Sequence, residues 1–277
     1  MRHTELKLGL IGFGTIGKGL ARAIATGRAG HTQLAPVLIK PQNFETTTTC
    51  LGELGLNSLV TADPEEFFAV ETDLIVEAAG QQVVREYAAR VLQSGRDLLI
   101  CASGAFTDEV LYEQLVGLAE QHGSRLLIPS GALAGIDALT SMAQAGVEEV
   151  TITTRKPPQA WIGTAAEKLV DLSSITTQPF CLFEGSAREA ANLFPQNVNV
   201  AATLAWAGIG LDRTISRVFA DPTVSRNVHQ ITLRGVCGEI SIEVCGKPSP
   251  DNPRTSALTA YSVIKTIRNL TASVIIG

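Results

Sequence analysis

The sequence predicts an α/β protein, in which a Rossmann-type, doubly wound parallel-sheet domain is joined to a smaller α+β domain with an open mixed sheet. Three observations carry this expectation. The first half alternates near-continuous apolar runs with amphipathic helical stretches, the pattern of strands covered by helices on both faces. A glycine-rich turn directly follows the first of those runs. Beyond Ser130 the chain changes to long strands of alternating polarity with helices gathered between them, as in a sheet with one covered face.

In chain order, "LKLGLI" (Leu6–Ile11) is a strand and "TIGKGLARAIAT" a helix. "LAPVLI" (Leu34–Ile39) and "SLVTA" are the next strands, and "TTTT" (Thr46–Thr49) marks a loop between them. "TDLIVEAA" (Thr72–Ala79) and "DLLICAS" are apolar strands, followed by the helices "QVVREYAARVLQSG" and "DEVLYEQLVGLAEQHG"; "RLLIPS" (Arg125–Ser130) closes the series. The second half reads as the helix "GALAGIDALTSMAQAG", the strand "VEEVTITTRKPP" and a polar helical stretch. Then come the strand "PFCLFEG" and the helices "SAREAANLFP" and "NVAATLAWAGIG". "TISRVFAD" and a hairpin, "VHQITLRGVCGEISIEVCG", follow, and "TSALTAYSVIKTIRNL" is an amphipathic terminal helix whose apolar stripe needs a partner.

Composition narrows the function classes. A length of 277 residues, 45% hydrophobic, suits one large domain or two moderate ones, with ample material for a buried core. A net charge of -5, scattered lysines and arginines and only 5% aromatic residues argue against a nucleic-acid partner, which needs a basic track or stacking platforms. Five cysteines, Cys50, Cys101, Cys181, Cys237 and Cys245, contain no CxxC pair. They read as reduced, small core residues of a cytoplasmic protein, neither a disulfide framework nor a metal site. The first residues lead straight into a strand without a signal-peptide h-region, and no apolar run is long enough for a membrane span. A soluble protein with no membrane partner is expected.

The turn Gly12-Phe13-Gly14-Thr15-Ile16-Gly17 has the GxGxxG spacing between a strand and a helix. Gly12 permits the tight turn, Gly14 lets a pyrophosphate approach the backbone, and Gly17 lets helix and strand pack closely. The helix N-terminus offers unpaired N–H groups to the phosphates. Ala79, Gly80 and Ser103, after the later strands of the series, complete the candidate cofactor contacts in this half. The second strand usually ends in a carboxylate that holds the adenosine ribose. Here Lys40 stands in that place. A cation favours the 2′-phosphate of NADP, a solvated strand end is the plain alternative, and the cofactor is therefore NAD or NADP.

The second half carries longer motifs: "IPSGALAGIDAL", "TTRKPP", "FEGSAREAANLFPQNVNVAATLA", "ADPTVSRNVHQI" and "SPDNPRTSALTAYSVIKTIRNL". Together with the Gly12 turn they resemble the L-aspartate dehydrogenase family over essentially the whole chain. The resemblance implies NAD- or NADP-dependent oxidation of L-aspartate to iminoaspartate, which yields oxaloacetate and ammonia or feeds NAD biosynthesis. It also implies a homodimer and a catalytic second domain, with the terminal helix returning to the Rossmann domain. The expected division is therefore 1–130 with 250–277, and 131–249. By the same resemblance Ala132 and Asn199 correspond to cofactor-binding positions and His229 to the catalytic histidine. The absent acidic residue after the second strand departs from the family pattern and leaves NAD specificity open.

The chemistry agrees with a histidine. Water adding to an imine needs a group that takes and returns protons, and an imidazole with pKa near 6.5 does so near neutrality. A buried, hydrogen-bonded structural histidine is the competing reading of His229. His3, His31 and His122 lie before a strand, in a loop and at a helix end. Asn199 starts an apolar helix, where it serves as an N-cap, a nicotinamide or substrate contact, or both. "PSGALAG" offers backbone N–H groups at a helix start. Two substrate carboxylates call for cations, and Arg155, Lys156 and Arg254 are the candidates. The rival readings are another two-domain oxidoreductase, of the homoserine dehydrogenase or dihydrodipicolinate reductase type, and a dinucleotide-sensing protein without catalysis.

Overall fold

The computed structural model describes residues 5–194, 198–249 and 252–276, with the backbone only for Val198, Pro253 and Arg254. The chain forms two compact units, Met1–Gly131 with Thr259–Gly277, and Ala132–Leu258.

The first unit is a βα series: β1 (Leu6–Ile11), α1 (Thr15–Ala25), β2 (Thr32–Leu38), α2 (Phe44–Glu53), β3 (Leu59–Thr61) and α3 (Pro64–Ala69). It continues with β4 (Leu74–Glu77), α4 (Gln81–Gln93), β5 (Asp97–Ile100), α5 (Glu109–His122) and β6 (Leu126–Leu127). The six strands pair in parallel in the order β3-β2-β1-β4-β5-β6. The order reverses between β1 and β4, so the loops after those two strands diverge and leave a crevice at their carboxyl ends. Leu74, Ile75 and Val76 are consecutive and fully buried, so β4 is covered on both faces, which explains why it lacks polar alternation. Helix starts follow local chemistry: the Asp63 carboxylate accepts from the Glu65 N–H at 2.9 Å, and Asp108 caps α5.

Two expectations for this unit change, and one for the cysteines of the chain. The threonine run is helical, not a loop. Thr46 and Thr48 donate their hydroxyls to the carbonyls of Asn43 and Phe44, at 3.1 and 2.9 Å, and Thr47 is buried. Back-bonding satisfies the hydroxyls and tertiary burial overrides their weak propensity. The strand expected over 125–130 keeps only Leu126–Leu127. The cysteines are free, but Cys181, Cys237 and Cys245 are exposed rather than core, because they fall on edge strands and a hairpin turn.

The second unit contains α6 (Ile136–Ala145), β7 (Val147–Lys156), β8 (Phe180–Ser186), α7 (Ala187–Leu193), α8 (Val198–Ala207) and β9 (Ile215–Ala220). β10 (Val228–Gly235), β11 (Gly238–Cys245) and the short hairpin β12 (Pro248–Ser249) and β13 (Asn252–Ser256) follow. Its five-stranded sheet runs β11-β10-β7-β9-β8, with only β7 and β9 parallel. Ile231 pairs with Ile152 and Leu233 with Val150, and this face packs against Leu139 of α6 and Leu204 of α8. The opposite face carries cross-strand ion pairs such as Arg217–Glu184. The polar stretch expected to be helical forms only short 3₁₀ turns, Pro158–Trp161, Ala165–Lys168 and Leu172–Ser174; Trp161 anchors it in a separate apolar cluster.

The chain ends in α9 (Ala257–Thr271). Val263 and Ile267 of this helix join Leu8, Leu10 and Leu20 in the first unit's core, which supplies the partner its stripe requires. The return falls at Thr259, later than residue 250, because β12 and β13 pair as a hairpin and the Ala257 N–H bonds to the Lys247 carbonyl.

Candidate functional site

The glycine turn lies at the β1 end of the crevice in the first unit. Gly12 has φ +98°, and a Cβ there would stand 2.7 Å from the Ala78 carbonyl oxygen. A Cβ on Gly17 would collide with the Gly12 carbonyl oxygen. Gly14 differs: its φ is −83° and nothing lies within 4 Å of its Cβ direction. It is the N-cap of α1 and supplies no side-chain cap to the first turn of an eleven-residue helix. This arrangement fits a dinucleotide pyrophosphate, which would take the N–H groups of that turn and the favourable dipole end. Phe13, Thr15 and Ile16 complete the turn, and Phe13 and Ile16 pack on the core beneath it. Lys40 is exposed beyond the end of β2, and the buried Ser103 opens a short 3₁₀ turn after β5.

A residue absent from the sequence-based set sits between these loops. Glu77, the last residue of β4, is 2% exposed. Its Oε1 accepts from the N–H groups of Ala79 and Gly80 at 2.7 and 2.6 Å, and its Oε2 from that of Ala102 at 3.0 Å. Burial pushes its pKa up, while these donors pull it down. Its sequence signal was slight, one carboxylate in the apolar run "LIVEAAG".

In the second unit His229 is the second residue of β10 and pairs with Thr154 of β7. The Nδ1 atom lies 3.0 Å from the Thr154 hydroxyl oxygen, and the residue is 5% exposed. Burial, with the Lys156 charge as a second cause, lowers its pKa from 6.5 to about 4. The expected pKa near 6.5 is therefore corrected: without substrate the ring is neutral at pH 7, because desolvation disfavours the imidazolium. Alternation along β7 places Lys156 on the same sheet face as Thr154. Its Nζ lies over the Trp161 ring, 5.0 Å from the centroid, and burial lowers its pKa to about 8.

The ring borders a pocket of about 200 Å³, walled by Pro157, Ser225, Arg226, Asn227, Lys247 and Ser256 among others. Arg226 and Lys247 are cations that sequence reasoning did not select. They come from the loops flanking β10 and β11, in "SRNVH" and "CGKPS", and only strand pairing makes them neighbours. Arg155 goes elsewhere. Its odd position turns it to the opposite face, where it pairs with Glu243 at 2.9 Å and with the buried Asp221 at 3.7 Å. It supports the sheet and is not gathered with His229.

The remaining candidates are scattered. Helix α6 begins at Ile136 after Gly135 in the left-handed conformation, so Ala132 lies in the preceding turn and not at a helix start. Asn199 lies inside the first turn of α8 and is exposed; it is not the N-cap. Arg254 belongs to β13, and its side chain lies outside the described residues, as does His3. His31 is exposed, and His122 occupies the last turn of α5, where a cation suits the helix dipole. Among the described residues no group of three or more His, Cys, Asp or Glu is placed to hold a metal, and no helix is long and apolar enough to cross a membrane.

With a dinucleotide turn in one unit and a buried histidine at a pocket bordered by two cations in the other, the chain falls among the two-unit pyridine-nucleotide oxidoreductases. Residues 12–129 match the family model of the homoserine dehydrogenase NAD binding domain, and residues 137–270 that of the aspartate dehydrogenase C-terminal domain. The L-aspartate dehydrogenase of Methanosarcina barkeri is 43% identical over 98% of this chain and 99% of its own. L-aspartate dehydrogenase 2 of Bordetella pertussis is 40% identical over the same shares. The crystal structure of aspartate dehydrogenase from Thermotoga maritima superposes with a TM-score of 0.75 at 26% identity, covering 99% of this chain and 100% of that one. This chain belongs to the L-aspartate dehydrogenase family.

Proposed function

We propose that this chain catalyses the NAD- or NADP-dependent oxidation of L-aspartate to iminoaspartate. One reduced cofactor and one proton are released per turnover. Water then converts the imine to oxaloacetate and ammonia, or the imine is passed on to NAD biosynthesis. The observation that carries the reading is His229, paired with Thr154 and bordering a pocket that Arg226 and Lys247 also line. Two cations at one pocket match the two carboxylates of aspartate.

The bound nicotinamide supplies the acceptor for the hydride that leaves Cα. The Gly12 turn and the N-terminus of α1 would hold the pyrophosphate, with Ala79, Gly80 and Ser103 as further contacts. By family resemblance Ala132 and Asn199 are further cofactor contacts. Lys40 makes NADP at least as acceptable as NAD. His229 takes a proton from the water that attacks the imine and returns one as ammonia leaves. A dicarboxylate in the pocket raises the imidazole's proton affinity from its low value toward neutrality. Lys156 adds a cation on the same face. By the same family resemblance the enzyme is a homodimer, for which light scattering should give about twice 29.3 kDa, and its cysteines without a CxxC pair suit the reducing cytoplasm.

The test is spectrophotometric. L-Aspartate should drive reduction of NAD or NADP, with L-homoserine and other amino acids far poorer. Cofactor binding without aspartate-dependent reduction would instead support a dinucleotide sensor.

A further inference from the structure

We propose that Glu77 is a positioning residue for the dinucleotide: its buried carboxylate ties together the loops after β4 and β5 and so sets the crevice that receives the cofactor. The inference rests on the reading of the first unit as the dinucleotide site. One oxygen accepts from the two consecutive N–H groups of Ala79 and Gly80, at 2.7 and 2.6 Å, and the other from Ala102, at 3.0 Å. Those N–H groups belong to the loops that leave the switch point, beside three of the candidate cofactor contacts, Ala79, Gly80 and Ser103.

The link extends to the glycine turn. Glu77 pairs with Ile11, and the Ala78 N–H donates to the Ile11 carbonyl at 2.8 Å. The next residue, Gly12, lies so close to the Ala78 carbonyl that a Cβ would meet it at 2.7 Å. A shift of the Ala78–Gly80 segment therefore moves the wall against which the turn is packed. Gly80, at φ +125°, holds a backbone conformation that L side chains rarely adopt, and the Glu77 oxygen pins its N–H. A carboxylate at 2% exposure is costly unless its lone pairs are taken. Here each oxygen meets backbone donors, so the group orders backbone that a neutral side chain would leave to reorganise.

Glu77→Gln is close to isosteric and tests this. An amide oxygen can still accept from Ala79 and Gly80, but the amide nitrogen then faces the Ala102 N–H, donor against donor. Fluorescence titration of the purified protein with NAD and with NADP should show Kd raised about tenfold for both. The apparent affinity for L-aspartate at saturating cofactor should shift less than twofold. A variant that melts at lower temperature yet keeps the wild-type Kd would make Glu77 a fold-stabilising residue only and would overturn the proposal. If the variant is recovered only unfolded, amide hydrogen exchange on the wild type decides. NAD should slow exchange at Ala79, Gly80 and Ala102 together, and no response at the three sites would overturn the proposal. Failure of the unaltered protein to bind either cofactor would instead refute the dinucleotide reading itself.

Discussion

Replacing His229 by alanine separates two roles that the structure superimposes on one side chain. The ring is buried and hydrogen-bonded to Thr154, so its loss leaves a buried hydroxyl without that partner and a small void. At pH 8 this should lower stability by roughly 1–3 kcal/mol. The pH dependence is more discriminating. The imidazole titrates at about 4 in the folded protein and near 6.5 when unfolded. The unfolded chain therefore binds a proton first as pH falls, and wild-type stability is lost from about pH 6.5 downward until pH reaches about 4. Each pH unit in that window amounts to about 1.4 kcal/mol. Between pH 8 and pH 5 the wild type should lose about 2 kcal/mol that His229→Ala does not lose, so the gap between the two closes or reverses. Other groups titrate in both proteins and cancel in the difference. Urea unfolding at the two pH values, without cofactor or substrate, measures it. Parallel losses would refute the buried neutral imidazole. On the same preparation, turnover with L-aspartate per folded molecule should fall about a hundredfold or more. Normal turnover by a destabilised variant would leave His229 a structural residue only.

Other outcomes follow from the same geometry. Arg226→Ala and Lys247→Ala should each raise KM for L-aspartate about tenfold while NAD titration still saturates, the loss expected for one charge-assisted contact; unchanged steady-state kinetics would remove them from the substrate site. Lys40→Asp should weaken NADP about tenfold and NAD much less, through loss of a phosphate partner; equal losses, or none, would make Lys40 a solvated strand end. Gly14→Ala should fold normally, since its φ is ordinary and its Cβ direction is open, yet bind dinucleotide more weakly. Gly17→Ala should instead lower the melting temperature, because its Cβ meets the Gly12 carbonyl.

The sequence by itself determined what depends on neighbours along the chain. The apolar run without alternation at Leu74–Glu77 reported a strand buried on both faces, and the glycine spacing reported the turn between β1 and α1. His229 was legible as a polar residue in an apolar strand position. Local rules failed where a distant partner decides the outcome. Thr46–Thr49 reads as a loop until Thr47 is buried by its surroundings. Arg155 and Lys156 are adjacent in the sequence, and only the pairing of β7 with β10 shows that Lys156 shares the His229 face while Arg155 turns to Glu243. Arg226 and Lys247 stand 21 positions apart (247 − 226) and border one pocket because β10 and β11 form a hairpin. The low pKa of His229 and the three N–H groups on Glu77 are likewise tertiary. Periodicity encodes which side of an element is apolar, whereas register, burial and desolvation depend on where the chain places its other segments.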